Sequence, residues 1–218
     1  MKMKGIAWLA AAGAVMIAGV ANAGFVIVNN GGAPISTVSP IPTNNDFRSQ
    51  LVAAGVSQFN LGGVLSLTLG PAGAANYAID VDVFAAEAGI LNQFTYGAVS
   101  YTSPGNLSWG MRRVGTVGSP AGGVLNFQFC ATSISQCLTN TQNDNTAFGS
   151  QQSIGMWVSE DGNTAWLLWD DSGASFDDNH DDLIIRLTYR VPEPATLGLL
   201  GLGLLGIGAV RRKRRVAA

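Results

Sequence analysis

The sequence predicts a mainly β protein. Its body, residues 24–190, reads as an antiparallel β-sandwich or jelly-roll, preceded by an N-terminal signal helix and followed by a C-terminal transmembrane helix. Three observations carry this. Nine short apolar or alternating runs recur between clusters of Gly, Pro, Asn and Ser, the pattern of strands closed by turns. Glycine is 28 of 218 residues without a Gly-X-Y period, and no longer repeat is visible, which excludes collagen and solenoids. Hydrophobic residues are 47% of the chain, enough for a packed core, while charged residues are only 12%.

Residues 1–23 have the three-part layout of a secretory signal peptide. Lys2 and Lys4 precede an apolar run from Ile6 to Val20, and Ala21-Asn22-Ala23 puts small residues where signal peptidase needs them, before Gly24. A retained membrane anchor is the alternative. The strand runs follow: Phe25–Val28, Gly63–Leu69, Tyr77–Phe84, Phe94–Tyr101, Leu107–Arg112, Val124–Phe129, Ile154–Val158, Thr164–Trp169 and Leu183–Val191. Between the first two, Asp46 can cap a short helix carrying Phe47, Leu51 and Ala54.

Cys130 and Cys137 are the only cysteines. In an exported chain a lone pair reads as one disulfide closing a small loop after the Val124–Phe129 strand. A metal pair lacks its second pair of ligands, and a catalytic thiol is the other alternative. Ile154–Trp169 reads as a β-hairpin turning at Asp161-Gly162, a type I′ signal with a two-residue loop. Counting back from Glu160 and Asn163 sets Trp157 opposite Trp166, on a face with Ser159, Thr164 and Leu168. Ile154, Met156, Val158, Leu167 and Trp169 make the more apolar face, expected to point into the core.

The stretch Asp170–Asp182 holds six aspartates in 13 residues. An EF-hand is excluded, because Asp182 replaces the required Gly and Thr188 stands where the bidentate Glu belongs. The stretch is either a solvated acidic turn, with His180 toward solvent, or a weak calcium site built from Asp170, Asp171, Asp177, Asn179 and Asp181.

After Arg190 comes Val191-Pro192-Glu193-Pro194-Ala195-Thr196. Ala195–Val210 is then uncharged for 16 residues, about 24 Å as a helix. That is short of a ~30 Å hydrocarbon core unless the flanking arginines snorkel. Arg211, Arg212, Lys213, Arg214 and Arg215 would stay cytoplasmic by the positive-inside rule. Pro192-Glu193-Pro194, the Leu/Gly run and the basic cluster, in that order over residues 191–215, closely resemble the PEP-CTERM sorting signal of exopolysaccharide-producing Gram-negative bacteria. The resemblance implies recognition by exosortase, a membrane cysteine protease–transpeptidase. It also implies an inner-membrane intermediate, cleavage near Pro192–Pro194, and delivery to the cell surface or extracellular matrix. The acidic stretch, an apolar strand and then Pro-Glu-Pro is similar to the ending of other PEP-CTERM proteins.

For the body, charge and motifs bound the function. Between Gly24 and Arg190 five arginines face 13 carboxylates, a formal charge of −8, so nucleic acid is not an expected partner. No G-x-S-x-G elbow, phosphate loop, H-E-x-x-H or Cys-x-x-Cys occurs, and no catalytic residue is assigned. A glycan-active hydrolase would need two carboxylates facing each other across a cleft, an arrangement that lies in space rather than in sequence. Together with the PEP-CTERM resemblance, which implies a link to exopolysaccharide and biofilm, the expected function is that of an exported surface or matrix structural protein. The alternative is a carbohydrate-binding module, because sugar faces stack on aromatic rings and Trp157 and Trp166 form the cross-strand pair.

Overall fold

Alternation along the strands sorts the side chains into two cores, one on each face of a large antiparallel sheet. The computed structural model describes residues 23–29, 38–70, 77–87, 89–143, 152–171 and 179–190. The expected signal helix and the expected transmembrane helix both lie outside these residues. Among the described residues no helix is long and apolar enough to cross a membrane. In chain order the strands are β1 (Gly24–Val28), β2 (Val38–Pro40), β3 (Gln58–Asn60), β4 (Val64–Thr68), β5 (Ala78–Ala85), β6 (Asn92–Tyr96) and β7 (Val99–Thr102). They continue with β8 (Arg112–Gly118), β9 (Gly123–Val124), β10 (Phe127–Ala131), β11 (Gln136–Thr139), β12 (Ser153–Val158), β13 (Thr164–Asp170) and β14 (Leu183–Arg190). One short helix, α1 (Arg48–Ala53), stands between β2 and β3.

A seven-stranded sheet runs β2-β3-β12-β13-β14-β5-β8, opposed by a three-stranded sheet β1-β4-β9 and a four-stranded sheet β11-β10-β6-β7. Inward residues of the large sheet, among them Val81, Val83, Met156, Leu167, Trp169, Ile185 and Leu187, pack with Phe25, Leu65 and Leu67 of one small sheet and Phe94, Phe127 and Phe129 of the other. This is the sandwich core. The opposite face of the large sheet carries a second core of Phe59, Phe84, Trp166, Leu168 and Ile184, covered by Ile41, Leu51, Val56 and Leu61. Strand β13 is buried on both faces, which is why it reads as a near-continuous apolar run, whereas β14 turns from apolar to alternating at Arg186.

Several boundaries differ from expectation. The Phe94–Tyr101 run is a hairpin, β6 and β7, turning through Gly97 at φ 59°. The Leu107–Arg112 run makes only an isolated bridge, Leu107 to Ala86, and the strand begins where that run ends, as the polar edge strand β8. Strands β2, β3, β8 and β11 are short, polar or exposed, so alternation did not expose them. Asp46 does not cap α1. Asn45 Oδ1 accepts from the Phe47 N–H (2.9 Å), Asn45 Nδ2 donates to the Asn179 carbonyl (2.8 Å), and the Asp46 N–H donates to Asp181 Oδ2 (2.7 Å).

The β12–β13 hairpin keeps the expected register, Trp157 opposite Trp166, through a longer turn. The strands close at Ser159 and Thr164, and the Ser159 carbonyl accepts from the Gly162 N–H (2.8 Å). Only Gly162 of the loop has a positive φ, 70°, whereas a type I′ turn needs two such residues. A four-residue and a two-residue loop on the same strands share one register, so the pairing is unaffected. Asp161 holds the turn by accepting from Ser159 Oγ (2.6 Å) and from the Asn163 N–H (3.0 Å), and these bonds keep its carboxyl below the usual range. Cys130 and Cys137 are direct cross-strand partners on β10 and β11 and form the expected disulfide.

Candidate functional site

The outer face of the large sheet is apolar at one end and charged at the other, and a groove lies where the two meet. Cross-strand pairing places Trp157 beside Trp166. With Ile154, Met156, Val158, Leu167 and Trp169 facing the core, the alternation predicts both rings to be partly open to solvent. Trp157 is half-buried, but Trp166 is only 3% exposed. The cause is Trp109, within the Leu107–Arg112 run that the sequence predicts to be a strand. Its loop instead lies over the sheet and stacks its indole parallel to that of Trp166, with centroids 5.9 Å apart. Phe84 wedges against both, at 4.6 Å from Trp166 and 5.1 Å from Trp109. Leu168, on the same face, is fully buried under the second core, so this face is not the solvent side the alternation implied.

These rings, together with Gln50 of α1, Ser159, Thr164 and Arg186, line a groove of about 530 Å³. That is within the range of small-ligand sites, roughly 300–1,000 Å³. No Asp or Glu is among its lining residues. The Arg186 guanidinium lies 4.7 Å from the Phe84 centroid and 5.8 Å from that of Trp166, a cation–π arrangement.

Arg186 connects the groove to an ion-pair ladder on the same face. Its Nη2 donates to Asp82 Oδ2 (2.8 Å), and Arg113 Nε donates to Asp82 Oδ1. Arg113 Nη1 also reaches Asp80 Oδ2 (2.7 Å), where Arg190 Nη2 (2.6 Å) and Thr116 Oγ1 (2.7 Å) meet Asp80 Oδ1. Burial pushes the Asp80 carboxyl up, but the bonds from Thr116 and Arg190 and the charges of Arg113 and Arg190 outweigh it and hold it below its ordinary value. Three of the five arginines of the body are therefore gathered here by two aspartates of one strand, β5.

The described ends of the acidic stretch, residues 170–171 and 179–182, are not solvated. Asp177 lies outside the described residues. Asp170, Asp171, Asn179, His180 and Asp181 are all buried. His180, expected toward solvent, is wholly enclosed, with Nε2 2.7 Å from Ser153 Oγ and its ring 4.9 Å from that of Phe59. Ser153 and His180 have nucleophile–base spacing, but Ser153 is only 2% exposed and neither residue lines the groove. Asp171 Oδ2 accepts from Asn92 Nδ2 (2.6 Å), and Asn92 Oδ1 accepts from Trp169 Nε1 (2.9 Å). Asp182 Oδ2 accepts from the Asp171 N–H (2.8 Å). Burial, reinforced by the charges of Asp171, Asp170 and Asp181, pushes the Asp182 carboxyl up to about 9. Hydrogen bonds to Asp171, Asp181 and Asp182 offset part of the repulsion among the described carboxylates, and burial favours the neutral form of Asp182. Among the described residues no group of three His, Cys, Asp or Glu side chains is placed to hold a metal ion.

In a comparison with known families, the model of the PEP-CTERM protein-sorting motif fits residues 190–215, starting at the last residue of β14. The motif marks an exported protein that exosortase processes and sorts to the surface of Gram-negative cells. No curated protein and no solved structure matches the chain.

Proposed function

We propose that this exported chain, ending in a PEP-CTERM protein-sorting motif, is a structural protein of the cell surface or extracellular matrix and works in contact with exopolysaccharide. The observation that carries this is the position of the motif. It begins at Arg190, where the sandwich ends, so removing the tail near Pro192–Pro194 takes away no strand of the described fold. The other end agrees: β1 starts at Gly24, the residue expected to follow signal peptidase cleavage, and pairs along its whole length with β4. Both cuts leave the sandwich intact. The exported form should begin at Gly24 and stop close to Pro192–Pro194 by intact mass. An extracellular species still carrying Arg211–Arg215 would refute the reading.

A second reading, a carbohydrate-binding module, is favoured by the groove at Trp157 and Trp166. Binding fits its lining better than hydrolysis does, because the groove residues include neither of the two carboxylates that glycoside hydrolysis needs.

A further inference from the structure

We infer that the groove at Trp157, Trp109 and Arg186 and the adjoining arginine ladder form one binding strip for an acidic polysaccharide, with sugar rings on the indoles and carboxylate or sulfate groups on Arg113 and Arg190. The inference rests on the carbohydrate-binding reading and names its ligand class.

Three features of the strip point to that chemistry. The first is its polar and aromatic mix. A groove for an apolar peptide would be lined by aliphatic side chains, whereas this one sets indoles beside Gln50, Ser159, Thr164 and a guanidinium. Rings that accept the C–H face of a pyranose, edged by groups that bond its hydroxyls, suit a sugar.

The second is the accessible charge. Asp80 and Asp82 lie at the bottom of the ladder, their side chains 5% and 0% exposed. The arginine side chains above them are open, 47% exposed for Arg113 and 57% for Arg190. A ligand therefore meets cations, although the carboxylates beneath offset most of the formal charge. This patch stands on a body of charge −8, which repels polyanions elsewhere and so orients an acidic chain toward it.

The third is continuity. Arg186 lines the groove and also bonds Asp82, which Arg113 shares. Arg186 and Arg190 are four residues apart on β14, about 13 Å along one face at ~3.3 Å per residue. That length suits a short run of sugars rather than a single ring. The paired guanidiniums are held in place before binding, which lowers the ordering cost of taking up the ligand.

The test uses the full chain in detergent, so that the basic tail is common to every sample. An oligogalacturonate and the same oligosaccharide with its carboxyls reduced to alcohols are titrated while tryptophan fluorescence and calorimetric heat are read. We expect the acidic form to bind with a fluorescence change and to weaken as salt is raised. The reduced form should bind about ten-fold less tightly, ~1.4 kcal/mol. Trp157→Ala should weaken the acidic form by a similar factor, measured below the melting transition of the variant, which loses part of its packing against the second core. Arg113→Lys keeps the charge and tests the fork geometry without stripping Asp80 and Asp82 of a cation, and it should weaken the acidic form only. Equal affinity for the two oligosaccharides overturns the acidic assignment. Absence of a fluorescence change, or a Trp157→Ala chain that binds like wild type, overturns the site. Surface sorting is read separately, from the mass and location of the exported chain, so failure of either idea is visible without the other.

Discussion

Gly155 lies in the middle of β12 with its missing side chain directed at the Phe59 ring. A Cβ built there meets Phe59 Cδ2 at 2.7 Å, Cε2 at 2.9 Å and Cγ at 3.0 Å. Ordinary carbon contacts sit at about 3.5–4.0 Å, so Gly155→Ala demands a displacement of the ring by roughly 1 Å. Phe59 cannot give way easily. It is 0% exposed and packs against the His180 ring at 4.9 Å, and His180 is tied to Ser153 Oγ at 2.7 Å. The clash strikes the body of a planar ring rather than the free end of a flexible chain. Overpacking of this kind costs about 1–3 kcal/mol. A domain of this size loses roughly 2–4 °C of Tm per kcal/mol, so the expected fall is about 4–8 °C at the middle of that range. Gly155→Ala in a Phe59→Leu background should cost much less, leaving a coupling of about 1 kcal/mol or more between the two sites. The assay is reversible thermal unfolding by circular dichroism on the four chains of the cycle. A Tm within 1 °C of wild type, or strictly additive substitutions, would show that the ring yields and that the close approach is not what selects glycine.

Asp182→Asn should raise stability at neutral pH. The Asp182 carboxyl sits at about 9 in the fold against 3.8 for the unfolded group, so its contribution is full below pH 3.8 and is lost as pH rises toward 9. Wild type should lose stability across that window and the variant should lose less, read by urea unfolding at pH 5, 7 and 9; parallel profiles would be the contrary result. Asp80 has the opposite sign. Its lowered pKa stabilises the fold above its unfolded value and is lost on acidification, so Asp80→Asn should blunt the acid limb of the same profile. Reducing the Cys130–Cys137 bond opens a loop with a sequence separation of 7, whose closure chain entropy values at no more than about 2.5 kcal/mol. The bridge joins residues already paired across a hairpin, so the observed loss under reductant should fall below that value, and a larger one would contradict the pairing. Millimolar calcium against chelator should leave Tm unchanged, because Asp171, Asp181 and Asp182 already accept bonds from protein N–H groups. A shift of several degrees with calcium and not magnesium would instead bring Asp177 into a ligand set.

Local chemistry by itself determined the routing and the strand content. Pro192-Glu193-Pro194, the Leu/Gly run and the basic cluster are contiguous, so a linear reading suffices for them. Alternation and turn residues located β1, β4, β5, β12, β13 and β14, and counting from the hairpin placed Trp157 opposite Trp166, because cross-strand register follows from the sum of paired residue numbers. Cys130 and Cys137 needed only their count. The tertiary structure decided everything that depends on what covers a face. A period of two tells which residues share a side and not whether that side meets water. Trp166 and Leu168 are buried because α1 and the Trp109 loop fold over them from distant parts of the chain. The acidic stretch looked solvated because six like charges repel in water. Its described members are buried or half-buried, held by Asn45, Asn92 and backbone amides up to 135 residues away, and burial pushes Asp182 toward its neutral form. The arginine ladder had no linear signal either. Asp80, Asp82, Arg113, Arg186 and Arg190 meet only because β5 lies between β8 and β14, and that strand order is set by the burial of the two cores rather than by any local run of residues.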